Sequence, residues 1–162
     1  IMYDGLELGK FVTKDNKTII TNASNVIMDS DGYIKEIINN TIEDDKFSFT
    51  ISNDTNEEIN YRVVIESSEK TTLDTKYMRY ILSYNNIYTN PSKLEDNIWK
   101  YDKLSEKLNL NGINYILLEK SLEAYQMDEI SLMLWTDYET IPNSMMNKTF
   151  LGTIKVYSWI NE

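Results

Sequence analysis

The alternation of apolar and polar residues is clearest in two segments near the middle of the first half of the chain. The alternating apolar residues are Phe47, Phe49, Ile51, Ile59, Tyr61, Val63 and Ile65. A period of two places these side chains on one face of a strand. Because the polar residues 52–58 separate the two segments, the pattern predicts a β-hairpin with one face in the core and the other in water.

The C-terminal quarter predicts two further long strands. Residues 129–137 (EISLMLWTD) and 148–160 (KTFLGTIKVYSWI) are rich in β-forming residues and lack helical periodicity. The polar residues 138–147 lie between them as a loop. Trp135 follows Leu134 in the first of these strands, and we expect its side chain to be largely buried.

The remaining segments complete an all-β pattern. Strands are predicted at 18–21, 78–84 and 115–118, a loop at 85–101, and one or two helical turns at 102–110. Seven to nine strands without a repeated strand–helix alternation favour an antiparallel β-sandwich of the jelly-roll type. The expected organisation is an extended N-terminal segment, 1–12, followed by a single β-sandwich domain, 13–162.

Composition and charge narrow the function. The chain has 162 residues, a formal net charge of −10, no Cys and no His, which excludes Cys nucleophiles, thiolate metal sites and Ser-His-Asp triads. No basic run exceeds two adjacent cations and no apolar run approaches a membrane span, so we expect neither nucleic-acid binding nor a transmembrane segment. Because the absence of Cys and His removes most catalytic arrangements, we expect that the protein is not an enzyme.

One acidic turn is a candidate metal site. Asp29, Asp31 and Gly32 form an Asp-x-Asp-Gly sequence that is like the opening of a calcium loop. The ninth and twelfth positions of such a loop are Ile37 and Asn40, which are not calcium ligands of the usual kind. Ca²⁺ binding by Asp29 and Asp31 and a simple turn with Gly32 at positive φ both remain open. No other cofactor is expected.

Aromatic residues offer a second candidate site. Trp99, Tyr101, Tyr125 and Trp159 could stack on sugar rings, with the loops 85–101 and 137–148 presenting the ligand. Alternatively, these residues fill the core or a subunit interface, since Tyr and Trp are ordinary strand residues. The sequence does not single out a sugar-binding residue.

The N-terminal segment suggests self-association. Residues 1–12 contain the apolar residues Leu6, Leu8 and Phe11, which could enter the sheet of a neighbouring subunit as a donor strand. Repeated head to tail, this contact does not close and builds a filament. The alternative is that the segment pairs within its own sheet.

Four segments follow one another in a distinctive order. They are the acidic turn, FSFTISNDTNEEINYRVVIE, YMRYILSY, and EISLMLWTD followed by NKTFLGTIKV. The last pair contains Leu132, Leu134, Trp135 and Asp137, then Thr149, Phe150 and Gly152. This order resembles the TasA/camelysin-like group of exported Gram-positive proteins. The resemblance implies a jelly roll, export after removal of a signal peptide, a location at the cell surface, and in some members fibre assembly by an N-terminal strand. Other members were described as surface proteases, but this chain has no His-Glu-x-x-His sequence.

The leading hypothesis is therefore a non-enzymatic extracellular structural protein, a subunit of a surface or biofilm-matrix filament, whose main partner is a second copy of itself. A carbohydrate- or receptor-binding surface module is the first alternative. A virion decoration or fibre protein is the second.

Overall fold

The computed structural model describes residues 5–22, 34–43 and 46–160, with only the backbone described for residue 22 and residues 34–43. The strands are β1 (Leu6–Lys14), β2 (Lys17–Asn22), β3 (Ile34–Glu43), β4 (Lys46–Asn53), β5 (Ile59–Ser67), β6 (Met78–Tyr84), β7 (Ile87–Tyr88), β8 (Ser92–Lys93), β9 (Asn114–Leu122), β10 (Met127–Thr136) and β11 (Thr149–Trp159). The helices are short 3₁₀ turns at Thr75–Tyr77, Leu94–Asn97, Ser105–Lys107 and Asn143–Met145. None of these described helices is long and apolar enough to cross a membrane.

Two antiparallel sheets form the sandwich. Sheet A has the strand order β2-β1-β11-β5-β9, and sheet B has the order β3-β4-β10-β6-β7, with β8 also pairing with β6. Without the added strands β2 and β3, the two four-strand orders β1-β11-β5-β9 and β4-β10-β6-β7 are those of a jelly roll. The predicted all-β, jelly-roll-like sandwich is confirmed, as are the two C-terminal strands and the helical turn within 102–110.

Both strands of the predicted hairpin are present as β4 and β5, but the prediction that they pair with each other is wrong. β4 lies in sheet B beside β3 and β10, whereas β5 lies in sheet A beside β11 and β9. The linking residues cross between the two sheets, which pack about 10 Å apart. Asn53 holds this crossing: its Nδ2 donates to the carbonyl oxygens of Glu57 at 2.7 Å and of Leu122 and Glu123 at 3.1 Å.

The prediction that one face of β5 lies in water is also wrong, because a third layer of residues covers that face. Residues 98–110 fold across the outer face of sheet A and bury Val64, Trp99 and Tyr157. Around them pack the partly buried residues Leu104, Leu108, Leu110, Ile116 and Trp159. β5 is therefore buried on both faces for most of its length.

Arg62 of β5 connects the third layer to sheet A. Its guanidinium carbon lies 4.9 Å from the ring centroid of Trp99 and 5.5 Å from that of Trp159. Its Nη1 lies 3.1 Å from Asp102 Oδ2 and its Nε lies 2.6 Å from Glu119 Oε1. An arginine between aromatic faces with both ends of its fork paired is the arrangement that stabilises a buried guanidinium.

The strand β1 contributes directly to the core between the sheets. Phe11 stacks on Phe150 with centroids 5.7 Å apart. Gly152 makes this approach possible, because a Cβ at that position would lie 2.5 Å from the Phe11 ring. The expected boundary between residues 12 and 13 falls inside this strand.

A buried carboxylate links the two sheets at one end of the sandwich. Asp128 of sheet B is only 3% exposed and accepts hydrogen bonds from Tyr61 Oη at 2.7 Å and Asn85 Nδ2 at 2.8 Å, while Lys120 Nζ lies 2.9 Å away. Burial alone would raise the pKa of Asp128, but the hydrogen bonds from Tyr61, Lys120 and Asn85 outweigh it and lower that pKa. Burial, and then the bond to Asp128, raise the pKa of Tyr61.

Candidate functional site

A row of hydroxyl side chains crosses the outer face of sheet B. Ser131 of β10 lies directly opposite Ser48 of β4 on one side and Ser83 of β6 on the other. Ser83 in turn lies opposite Tyr88 of β7. Directly opposed residues of antiparallel strands share a face, so three serines and one tyrosine form a continuous row.

The row is the floor of a groove because serine side chains are small and their neighbours are long. Ser83 is 5% exposed although it faces outward, whereas Tyr88 is 59% exposed and rises at the edge of the floor. Lys46, on the same face of β4, reaches across so that its Nζ lies 5.6 Å from the centroid of the Tyr88 ring. Lys46 and Tyr88, which belong to strands on opposite sides of the floor, therefore approach each other across it.

A second polar row extends the groove toward the β6–β7 turn. Glu129 lies opposite Thr50, and the backbone N–H of Glu129 donates to Asn85 Oδ1 at 2.8 Å. Asn85 and Asn86 have φ of 50° and 65°, the geometry of the two-residue hairpin turns that favour asparagine. This turn fixes where Asn86 and Tyr88 stand beside the serines.

The groove has a volume of about 320 Å³, at the small end of the range of about 300 to 1,000 Å³ for small-molecule sites. The lining of the groove is largely polar. Serine and threonine hydroxyls both donate and accept hydrogen bonds, and those of Ser83 and Ser131 are bonded to each other. Glu129 accepts, Lys46 donates, and Lys46 lies over the ring of Tyr88. The two opposite charges, Lys46 and Glu129, leave the described lining without net charge.

The residues predicted for self-assembly lie in the core of their own chain. Leu8 and Phe11 are buried, and Leu6 packs against the same core. They belong to β1, which pairs with β2 and β11 of the same sheet, as the alternative interpretation of this segment expected. Donor-strand exchange stays a prediction, and it requires β1 to leave this position.

The predicted metal residues, Asp29 and Asp31, lie outside the described residues. Within the described ranges no group of three or more Asp and Glu side chains lies in position to hold a metal ion.

The aromatic candidates divide into two pairs. Trp99 is buried edge-to-face against Tyr157 and Trp159 is partly buried beside Arg62, as the alternative interpretation of these residues as core residues expected. The guanidinium group of Arg62 lies over both indole rings. Tyr101 and Tyr125 are exposed. Trp135, expected to be largely buried, lies on the outward face of β10 and is half-buried.

The serine row is not apparent from the sequence alone. Ser48 and Ser83 occupy polar positions of recognised strands, and Tyr88 lies within the 85–101 segment proposed to present a ligand. The missing information was that β10 pairs between β4 and β6, which brings Ser131 between the other two serines.

No family model matches the chain, and no curated protein matches it. Among solved structures, the chain is similar to the GH31 α-xylosidase Xac1773 of Xanthomonas citri, at 14% sequence identity and a TM-score of 0.32. The match covers 96% of this chain and 16% of that enzyme's chain. A likeness this distant bears on neither the fold nor the function.

Proposed function

We propose that this protein is a non-enzymatic binding module that holds a neutral, polyhydroxylated ligand, a carbohydrate, in the groove on sheet B. The observation that carries the proposal is the row of Ser48, Ser131 and Ser83 ending at Tyr88. The resemblance to exported surface proteins supports a location outside the cell or on its surface, where such ligands are abundant.

The groove suits a sugar on physical grounds. A sugar ring carries hydroxyls that need partners able both to donate and to accept, and a serine floor supplies such partners without bulk. The same ring has an apolar C–H face that packs on an aromatic side chain, and Tyr88 is an exposed aromatic side chain in the lining of the groove. The balanced charges of Lys46 and Glu129 favour a neutral ligand over an acidic one.

Binding fits the lining better than hydrolysis. Glycoside hydrolysis needs two carboxyl groups on opposite sides of the scissile bond. Glu129 is the one carboxylate in the described lining of the groove. The proposed role is accordingly attachment to a glycan, with Glu129 as a hydrogen-bond acceptor.

The test is a glycan array followed by titration calorimetry with the best-bound sugar. We expect Tyr88→Ala to weaken binding about fivefold to tenfold through lost stacking, and Ser131→Leu to abolish it by filling the floor. Tyr138→Ala is the matched control, because Tyr138 is 64% exposed on another loop. Absence of glycan binding, or binding that survives Ser131→Leu, would refute the proposal.

A further inference from the structure

The four outer edges of the two sheets differ in how they are protected against pairing with another chain. β7 has only two residues, and β3 has two register shifts along its pairing with β4. β9 is bridged at Tyr115 by Ile98, and Trp99 N–H donates to the carbonyl of Asn114 at 2.7 Å. Short strands, bulges and covering segments are the usual protections of an edge.

β2 has none of these protections within the described part of the chain. It has six residues, its pairing with β1 runs without a register shift, and it pairs with no other described strand. Its sequence, KTIITN, is rich in β-branched residues and has no Pro or Gly. Such a segment has a strong tendency to pair with another strand.

An apolar row on the outer face of sheet A ends at this edge. Ile19 of β2 lies opposite Val12 of β1, and Val12 lies opposite Leu151 of β11. Ile19 is 61% exposed and Val12 is 39% exposed. Lysines flank the row, since Lys14 lies opposite Lys17 on the same face. The row therefore ends at the edge of the sheet with an exposed apolar side chain, that of Ile19.

We propose that a second copy of this chain completes sheet A by pairing its own β2 antiparallel with this β2, around a two-fold axis at Ile19. Opposed residues of antiparallel strands share a face, so centring on Ile19 places Ile19 against Ile19 of the partner. The apolar row then runs unbroken from Leu151 of one copy to Leu151 of the other.

The same register also keeps lysines of the two copies from lying directly opposite each other. With Ile19 at the axis, Lys17 lies opposite Thr21 of the partner, and not opposite another lysine. Like charges directly opposed across a sheet are destabilising, and this register avoids them at the new contact. The contact is isologous and closes as a dimer. It leaves β1 in its own sheet and does not depend on the groove.

Sedimentation velocity of the whole protein over a concentration series tests the dimer. We expect a monomer–dimer equilibrium that tightens with added salt, because each copy carries a net charge of −10. Ile19→Lys should raise the dissociation constant about tenfold or more, since it places two cations at the axis. Ile87→Lys is the matched control, because Ile87 is 55% exposed on β7, and it should leave the constant unchanged.

Cross-linking tests the register, because the chain has no native cysteine. We expect Ile19→Cys to be joined into dimers by a short bis-maleimide, and Ile87→Cys to remain monomeric. Circular dichroism of each variant confirms that the fold is intact. A wild-type protein that stays monomeric at its highest soluble concentration, or a dimer that Ile19→Lys does not weaken, overturns the inference.

Discussion

Replacing Tyr61 by phenylalanine tests whether the Asp128 cluster holds the two sheets together. Tyr61 lies in sheet A and is fully buried, and its hydroxyl donates to Asp128 of sheet B at 2.7 Å. The substitution removes one oxygen and leaves the aromatic ring in place. Any loss of stability therefore reports the hydrogen bond and not a cavity the size of a side chain.

The expected loss follows from the charge and burial of the acceptor. A hydrogen bond to a charged group contributes about 1.5 to 3 kcal/mol. Asp128 keeps Lys120 and Asn85 as partners in the variant, so its charge is not left unpaired. We expect Tyr61→Phe to lower the free energy of unfolding by about 1.5 to 3 kcal/mol.

The pH dependence supplies an independent check. The pKa of Asp128 is lowered in the folded protein, relative to about 3.9 for an unfolded aspartate. A carboxyl group with a lowered folded pKa stabilises the protein fully above about pH 5, and this contribution is lost as the pH falls through the folded pKa. The difference between wild type and Tyr61→Phe should accordingly be largest near neutral pH and shrink in acid.

Urea unfolding followed by tryptophan fluorescence measures both effects. The control is Tyr138→Phe, which removes the same atom from an exposed side chain and should change the free energy of unfolding by less than about 0.5 kcal/mol. Equal stabilities for the two variants at pH 7, or a difference that grows in acid, would show that the cluster does not work as described.

Two further stability predictions use the same unfolding assay. Phe11→Ala should cost about 3 to 5 kcal/mol in a dilute, monomeric sample, because Phe11 fills the core of its own chain against Phe150; Val12→Ala, on the outer face of the same strand, should cost less than about 1 kcal/mol. If Phe11→Ala lowers the free energy of unfolding only slightly, the result would instead favour donor-strand exchange, in which β1 comes from a neighbouring subunit. Asn53→Asp should cost about 2 to 4 kcal/mol, because a carboxylate cannot donate to the three carbonyl oxygens around Nδ2. Asn90→Asp, at an exposed position, should be neutral, and equal costs for the two would contradict this account of Asn53.

The period of two in the apolar residues predicted where the strands lie, but not which strands pair with each other. The residues of β4 and β5 alternate as they would in a hairpin, and the polar link between them looks like a hairpin turn. Their assignment to different sheets depends on Asn53 and the carbonyl groups of Leu122 and Glu123, which lie some seventy residues further along the chain. Local patterns carry no information about contacts of this range.

The covered face of β5 shows the same limit. Arg62 looks like a water-facing residue in the alternating pattern, since its charge marks the polar side of the strand. Its burial between Trp99 and Trp159 depends on residues 98–110 returning over sheet A. The serine row was similarly hidden, because each serine is unremarkable alone and only the neighbours of β10 bring them into line.

The groove and the free edge belong to different sheets of the sandwich, with the groove on the outer face of sheet B and β2 at the border of sheet A. A two-fold axis perpendicular to sheet A turns both grooves of a dimer toward the same side. Such a dimer would be bivalent toward a flat, repetitive surface such as a polysaccharide layer. Two weak sites held in this way gain avidity without any new contact to the sugar, so modest affinity in a single groove is compatible with firm attachment.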